Sequence, residues 1–245
     1  MKRQVRILEM ARRRITTVLV LAAILAGCSG QRRKERHLEQ ANRYFNAGEY
    51  EKAKIEYLNV LRQDFNDPIA ESQLGLIWFE QGAPLRAYAY LSRSRELAPN
   101  NIEARAKLAV VLADLGENVS AREEALAILE ESPGQEEALL VLANTTWAEQ
   151  EFAETEEQLR KVPQGNDIAY HLAWASLALR RGDFAYADSE LQEALKLEPE
   201  SPRVHLALAN LYSLRQDRDK AGEEFQTAAE LSPHKLPRGF CVTAA

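Results

Sequence analysis

Cysteine is almost absent: Cys28 and Cys241 are the only two in 245 residues. Two cannot frame a disulfide-stapled domain or supply a metal-ligand quartet. Histidine is also scarce, with His37, His171, His205 and His234 making up the whole set. No glycine-rich phosphate loop and no nucleophile elbow occurs, so the motifs of phosphoryl and acyl transfer are missing. Positive charge is short as well. Residues 1–27 hold six Lys/Arg against the single Glu9, and the remainder holds 25 basic and 36 acidic residues, a net charge of −11. A body that acidic repels phosphate backbones, which excludes nucleic acid as a partner. With 46% apolar and 28% charged residues the chain still has the composition of a soluble globular protein.

What is present begins with order at the amino terminus. ARRR (11–14) is followed by ITTVLVLAAILAG (15–27) and then Cys28. A basic segment before a short apolar run has the layout of a secretion signal. Thirteen helical residues rise only about 20 Å, less than the roughly 30 Å hydrocarbon core of a bilayer. The small residues Ala26 and Gly27 leave room for a peptidase at the bond before Cys28. Leu25-Ala26-Gly27-Cys28 resembles a bacterial lipobox, which implies cleavage before Cys28 and acylation of its thiol. By the same resemblance, Ser29 in place of an inner-membrane retention aspartate implies the outer membrane of a Gram-negative cell, facing the periplasm. Met1–Glu9 lengthens the basic region unusually, and a start at Met10 gives a more ordinary signal. Residues 29–36, SGQRRKER, read as a short basic tether spanning at most about 28 Å, able to rest on anionic headgroups.

The body repeats. Gly48, Gly82 and Gly116 lie 34 residues apart, as do Ala53, Ala87 and Ala121, Pro99 and Pro133, and Pro199 and Pro233. A period of 34 with a mid-repeat Gly, an Ala after it and a closing Pro resembles the tetratricopeptide repeat. The spacing predicts six repeats over 34–235 (34–67, 68–101, 102–135, 136–167, 168–201 and 202–235), each two amphipathic helices joined by a turn. The expected fold is all-α, a right-handed superhelical solenoid, because one helix pair cannot bury its apolar face alone. Repeat four departs most, with Gln150 for the turn glycine, Thr155 for the packing alanine and an early Pro163; KVPQGND (161–167) is the expected bend. The tail at 236–245 makes a poor cap. It reads either as the truncated end of a longer repeat protein or as a segment packed on repeat six with Cys241 as an odd thiol.

Three histidines share the fourth position of their repeats, which sets them about 10 Å or more apart along a stack. That is too far for one ion, and a packing slot is the better reading. The carboxylates of REEALAILEESPGQEE (122–137) read as a solvated face, since acid–base catalysis needs an oriented buried pair. No metal, cofactor, small-molecule substrate or enzymatic activity is expected.

The family resemblance implies a groove lined by the first helix of each repeat. Carried over by position, it takes in Asn42, Phe45, Leu76, Phe79, Leu140, Asn144, Trp147, Leu172, Arg180, Arg203 and Asn210. Asparagines at the ninth position offer a donor and an acceptor to an extended peptide backbone, and leucines and aromatics anchor apolar side chains. A one-position error in helix phase exchanges groove for core, so both readings stand for several of these. The array of lysines that clamps a terminal carboxylate in related adaptors is missing, and only Arg180 and Arg203 stand out as cations.

The expected function is a membrane-anchored scaffold that binds peptide segments of other cell-envelope proteins. Its layout resembles type IV pilus pilotin lipoproteins, and ANRYFNAGEYEKAKIEYLNVLR (41–62) resembles the start of lipoproteins of exosortase-linked exopolysaccharide export. A periplasmic holdase with a promiscuous apolar groove is the alternative. Lipidation has a direct test. Cys28→Ala is expected to move the protein from the membrane pellet to the soluble fraction, and mass spectrometry of the mature wild type is expected to find acylated Cys28 as its first residue.

Overall fold

The computed structural model describes residues 30–162 and 167–231. The apolar run at 15–27, Cys28, Cys241, His234 and the tail at 236–245 lie outside the described residues, as does 163–166 at the centre of the expected bend. Among the described residues there are twelve helices and no strand. In chain order they are α1 (30–46), α2 (Tyr50–Gln63), α3 (Pro68–Glu80), α4 (Pro84–Leu97), α5 (Ile102–Asp114), α6 (Asn118–Glu131), α7 (Glu136–Asn144), α8 (Glu149–Lys161), α9 (Ile168–Arg181), α10 (Phe184–Leu197), α11 (Pro202–Leu214) and α12 (Arg218–Leu231). The fold is an all-α helical repeat. By contacts the chain forms two compact bodies, with the boundary between Leu74 and Gly75 inside α3.

Punctuation residues set the helix ends. Asp67 Oδ1 accepts from the Ile69 and Ala70 backbone N–H groups at 3.1 and 2.9 Å, which caps α3 ahead of Pro68. Asn101 and Asp183 cap α5 and α10 in the same way. At the other end, a left-handed residue stops the first helix of a repeat. Gly182 has φ 77°, and the Asp183 N–H reaches back to the Ala178 carbonyl at 2.9 Å. Repeat six makes the same turn without glycine, holding Gln216 at φ 62°.

In the first body, α1 and α2 pack through Ala41, Ala53, Tyr57 and Val60, all wholly buried. Lys34 Nζ bridges Asp64 and Asp67 at 2.9 and 3.0 Å. These bonds raise the Lys34 pKa and lower that of Asp64. The structure corrects the reading of SGQRRKER as an extended tether: residues 30–36 are the opening turns of α1. Arg, Lys, Gln and Glu are strong helix formers, and Gln31 bonds Glu35 one turn on, so the segment rises about 1.5 Å per residue rather than about 3.5 Å.

In the second body, small residues let the two helices of a repeat approach. A Cβ built on Gly75 of α3 would lie 2.6 Å from Leu91 Cγ of α4. Ala109, Ala143, Ala175 and Ala209 take the equivalent place and are essentially fully buried. Around repeats five and six a continuous core runs through Leu172, Leu191, Val204, Leu208 and Leu211, with Leu140 and Leu179 packed at its edge.

Repeat four is built differently. Arg122 of α6 is buried and donates through Nη1 to the Thr146 and Thr155 hydroxyls at 3.1 Å each, and through Nη2 to the Glu151 carbonyl at 3.2 Å and Glu154 at 2.6 Å. Thr155 replaces the packing alanine because this guanidinium needs an acceptor there. α7 ends after nine residues, and in its last turn Thr145 and Thr146 donate their hydroxyls to the Val141 and Leu142 carbonyls at 2.8 Å.

Two substitutions test these local constraints by urea unfolding followed with far-UV circular dichroism. Gly75→Val is expected to lower stability by about 1–3 kcal/mol, because Leu91 must shift. Gln216→Gly is expected to raise it by about 1 kcal/mol, because glycine is unstrained at positive φ.

Candidate functional site

Two of the leucines assigned to the groove belong instead to the core. Leu76 and Leu172 are 7% and 6% exposed, and Leu172 packs within the repeat-five core. The two faces of a first helix differ by about one position in phase, so leucine alone does not separate them. In the first body, Asn42 is exposed and its Oδ1 accepts from the buried Tyr57 hydroxyl at 2.7 Å, while Phe45 lies half-buried against Tyr50. In the second body, Phe79 carries Lys107 over its ring, and Lys107 pairs with Glu137 at 2.7 Å. Burial pushes the Glu137 carboxyl up, but Lys107 together with the Gln135 amide and a backbone N–H outweighs it, and the net direction is down. Arg203 is already paired, with Glu136. Asn210 sits half-buried on α11.

The structure brings four residues together across α7 and α9. Ser176 donates its hydroxyl to Asn144 Oδ1. One turn further along, the Arg180 guanidinium stacks over the Trp147 indole, 4.0 Å from the ring centroid. Trp147 follows the shortened α7 and is 69% exposed. Its backbone N–H and that of Ala148 both donate to Glu151, at 2.7 and 2.9 Å, which holds that carboxyl below its ordinary value. Arg180 is half-buried, its Nε has no acceptor, and burial pushes its pKa down. These four groups can hold an extended chain by hydrogen bonding, stacking and charge. Ser176, whose hydroxyl secures Asn144, had no place among the expected site residues; its ninth position, shared with Asn144, was the available signal.

The histidines have polar partners that the sequence reading missed. His37, His171 and His205 place Nδ1 at 2.5, 2.8 and 2.6 Å from Glu56, Glu190 and Glu224, each nineteen residues on. In repeat three Arg105 takes the same position and pairs with Glu124 at 2.6 Å, again nineteen residues on. The equivalence extends further. Arg105 Nη1 donates to the Pro99 carbonyl at 3.0 Å, and His205 Nε2 lies 2.9 Å from the Pro199 carbonyl. Each such residue therefore ties the two helices of one repeat, and two of them also reach the close of the preceding repeat. Among the described residues no group of three or more His, Cys, Asp or Glu could hold a metal ion. Nor is any helix among them long and apolar enough to cross a membrane.

Two stretches of the chain, residues 38–102 and 178–238, match family models described as tetratricopeptide repeat, and together they span just over half of it. Among solved structures, a tetratricopeptide repeat protein from Parabacteroides merdae aligns at 18% identity, covering 84% of this chain and 81% of its own, with a TM-score of 0.61. The pilF protein of Pseudomonas aeruginosa aligns at 16% identity over 85% and 96%, with a TM-score of 0.56. At such identities the likeness speaks for the fold alone. No curated protein matches the chain.

The interhelix pairs predict a graded response at His205. Its side chain is buried, so His205→Ala is expected to cost about 1–3 kcal/mol by stranding Glu224 and the Pro199 carbonyl. His205→Arg, which reproduces the Arg105 arrangement, is expected to retain most of the stability. Thermal unfolding of the two variants beside wild type checks both.

Proposed function

Because this chain belongs to the tetratricopeptide-repeat family, we propose that it is a non-enzymatic interaction protein of a bacterial cell envelope. It takes extended segments of other envelope proteins along the first-helix face of its second body. The observation that carries this reading is the block formed by Asn144, Trp147, Ser176 and Arg180. An indole 69% exposed and stacked by a guanidinium is a large, rigid contact surface of the kind that dominates protein interfaces. With its Oδ1 taken by Ser176, the Asn144 amide still has Nδ2 to donate to a partner's backbone carbonyl.

The layout before the repeats supports a place for this surface. Leu25-Ala26-Gly27-Cys28 has the lipobox pattern, so the chain is held by acyl groups on Cys28, at an outer membrane and facing the periplasm. Each buried methylene contributes about 0.8 kcal/mol, and several chains together make release very slow. Its resemblance to pilotin lipoproteins and to exopolysaccharide-export lipoproteins suggests type IV pilus assembly or polysaccharide export as the process served.

Photo-crosslinking in cells, with benzoylphenylalanine at position 147, tests the reading. One discrete adduct is expected, and it is expected to disappear on Asn144→Ala. A smear of many adducts would replace the scaffold with a holdase. No adduct at all would sink the groove.

A further inference from the structure

The charges along this face are nearly all accounted for. Lys107 is paired with Glu137, Arg203 with Glu136 and Arg181 with Glu156. Arg180 differs. Among the described residues no carboxylate lies within ion-pair range of it, and its buried Nε has no acceptor. A guanidinium drawn half out of water without a counter-ion is costly, and it stands in a chain whose residues after 27 are otherwise strongly acidic. Its one strong contact is with Trp147, where the guanidinium carbon lies over the indole, 4.0 Å from the ring centroid. A contact through the ring occupies none of the Nη N–H donors, which have no hydrogen-bond or ion-pair partner among the described residues and are left to an acceptor.

We infer that Arg180 and Trp147 form a two-part receptor for a carboxylate-bearing segment of a protein partner. The Arg180 edge takes an Asp or Glu side chain in its plane, and the free face of Trp147 takes the apolar side chain beside it. This rests on the groove reading above and names the chemistry of its occupant. A carboxylate fits better than a phosphate. It is planar and bears one charge, which matches one guanidinium fork, whereas a phosphate dianion would bring a second charge to a single guanidinium in a strongly acidic chain. Glu151, four residues after Trp147, does not compete for Arg180, because two backbone N–H groups hold it. The Asn144–Ser176 bond, one turn away, fixes α7 against α9 and so holds the two halves of the receptor in register.

Fluorescence polarisation on the full chain tests this. The probes are fluorescein-labelled, amidated twelve-residue peptides in matched sets: Asp or Glu beside Leu or Phe, the same peptides with Asn or Gln for the acid, and scrambled versions. Wild type is expected to bind the acidic–apolar set about tenfold more tightly than its amide counterparts, a difference of about 1.4 kcal/mol. Arg180→Gln is expected to erase that difference and Arg180→Lys to restore part of it. Trp147→Ala is expected to weaken peptides with the apolar neighbour most. Circular dichroism confirms folding in each case, and Arg180→Lys against wild type decides the matter should Arg180→Gln fail to fold. Binding without preference for the acid, or a preference that survives loss of Arg180, overturns the receptor and leaves the groove standing. No binding of any peptide by folded wild type overturns both.

Discussion

Close approach of the two helices within each repeat is the constraint from which the rest of the structure follows. It is met by a residue without a side chain, or with only a methyl group, where the first helix faces the second. Gly75 against Leu91 is the tightest case, and buried alanines serve elsewhere. Helices this close present broad apolar faces to the next pair, and those faces are buried only by stacking. The same closeness brings the fourth residue of a repeat within bonding range of a glutamate nineteen residues on. That pair therefore recurs in repeats one, three, five and six as a product of geometry rather than as four separate inventions.

Repeat four keeps that small residue in Ala143 but departs on its second helix, and the candidate site lies in the same repeat. A buried arginine from the preceding repeat requires acceptors, so threonine replaces the packing alanine, and α7 is only nine residues long, with two further threonine hydroxyls bonded to carbonyls of its last turn. The chain leaves the helix before Trp147, which puts an indole in solvent where a longer helix would have carried the residue onward. Local irregularity with an identifiable internal cause is where function is most often found in an otherwise regular scaffold. The stack with Arg180 then shields one face of the indole and orients the other.

Much of this was legible in the sequence, for reasons that can be named. Glycine and proline at a spacing of 34 mark turns that few other residues make, so the helices and their pairing could be read directly. Leucine was ambiguous. Leu76 and Leu172 lie at positions that line a groove by analogy, yet they turn inward, and Leu140 stops at the core's edge. The stack between Trp147 and Arg180 could not be read, because it depends on where α7 ends. The histidine–glutamate pairs were readable in principle from their constant spacing of nineteen, but a residue that fills a packing slot between two helices needs no polar partner, so the slot alone did not call for the glutamate. The basic stretch at 30–36 looked like a linker by charge and proved helical by propensity.

The span of each polar contact bears on how such a chain can grow or shrink. The histidine and arginine pairs with glutamate begin and end inside one repeat, so a copy inserted or removed whole carries both charges with it and strands neither. Arg122 belongs to repeat three and all of its side-chain partners to repeat four. Recombination between those two would leave a buried cation without acceptors on one side and a hydroxyl pair in an alanine's place on the other. At this buried cation repeats three and four are thus heritable only together, whereas each histidine–glutamate pair passes intact with a single copy.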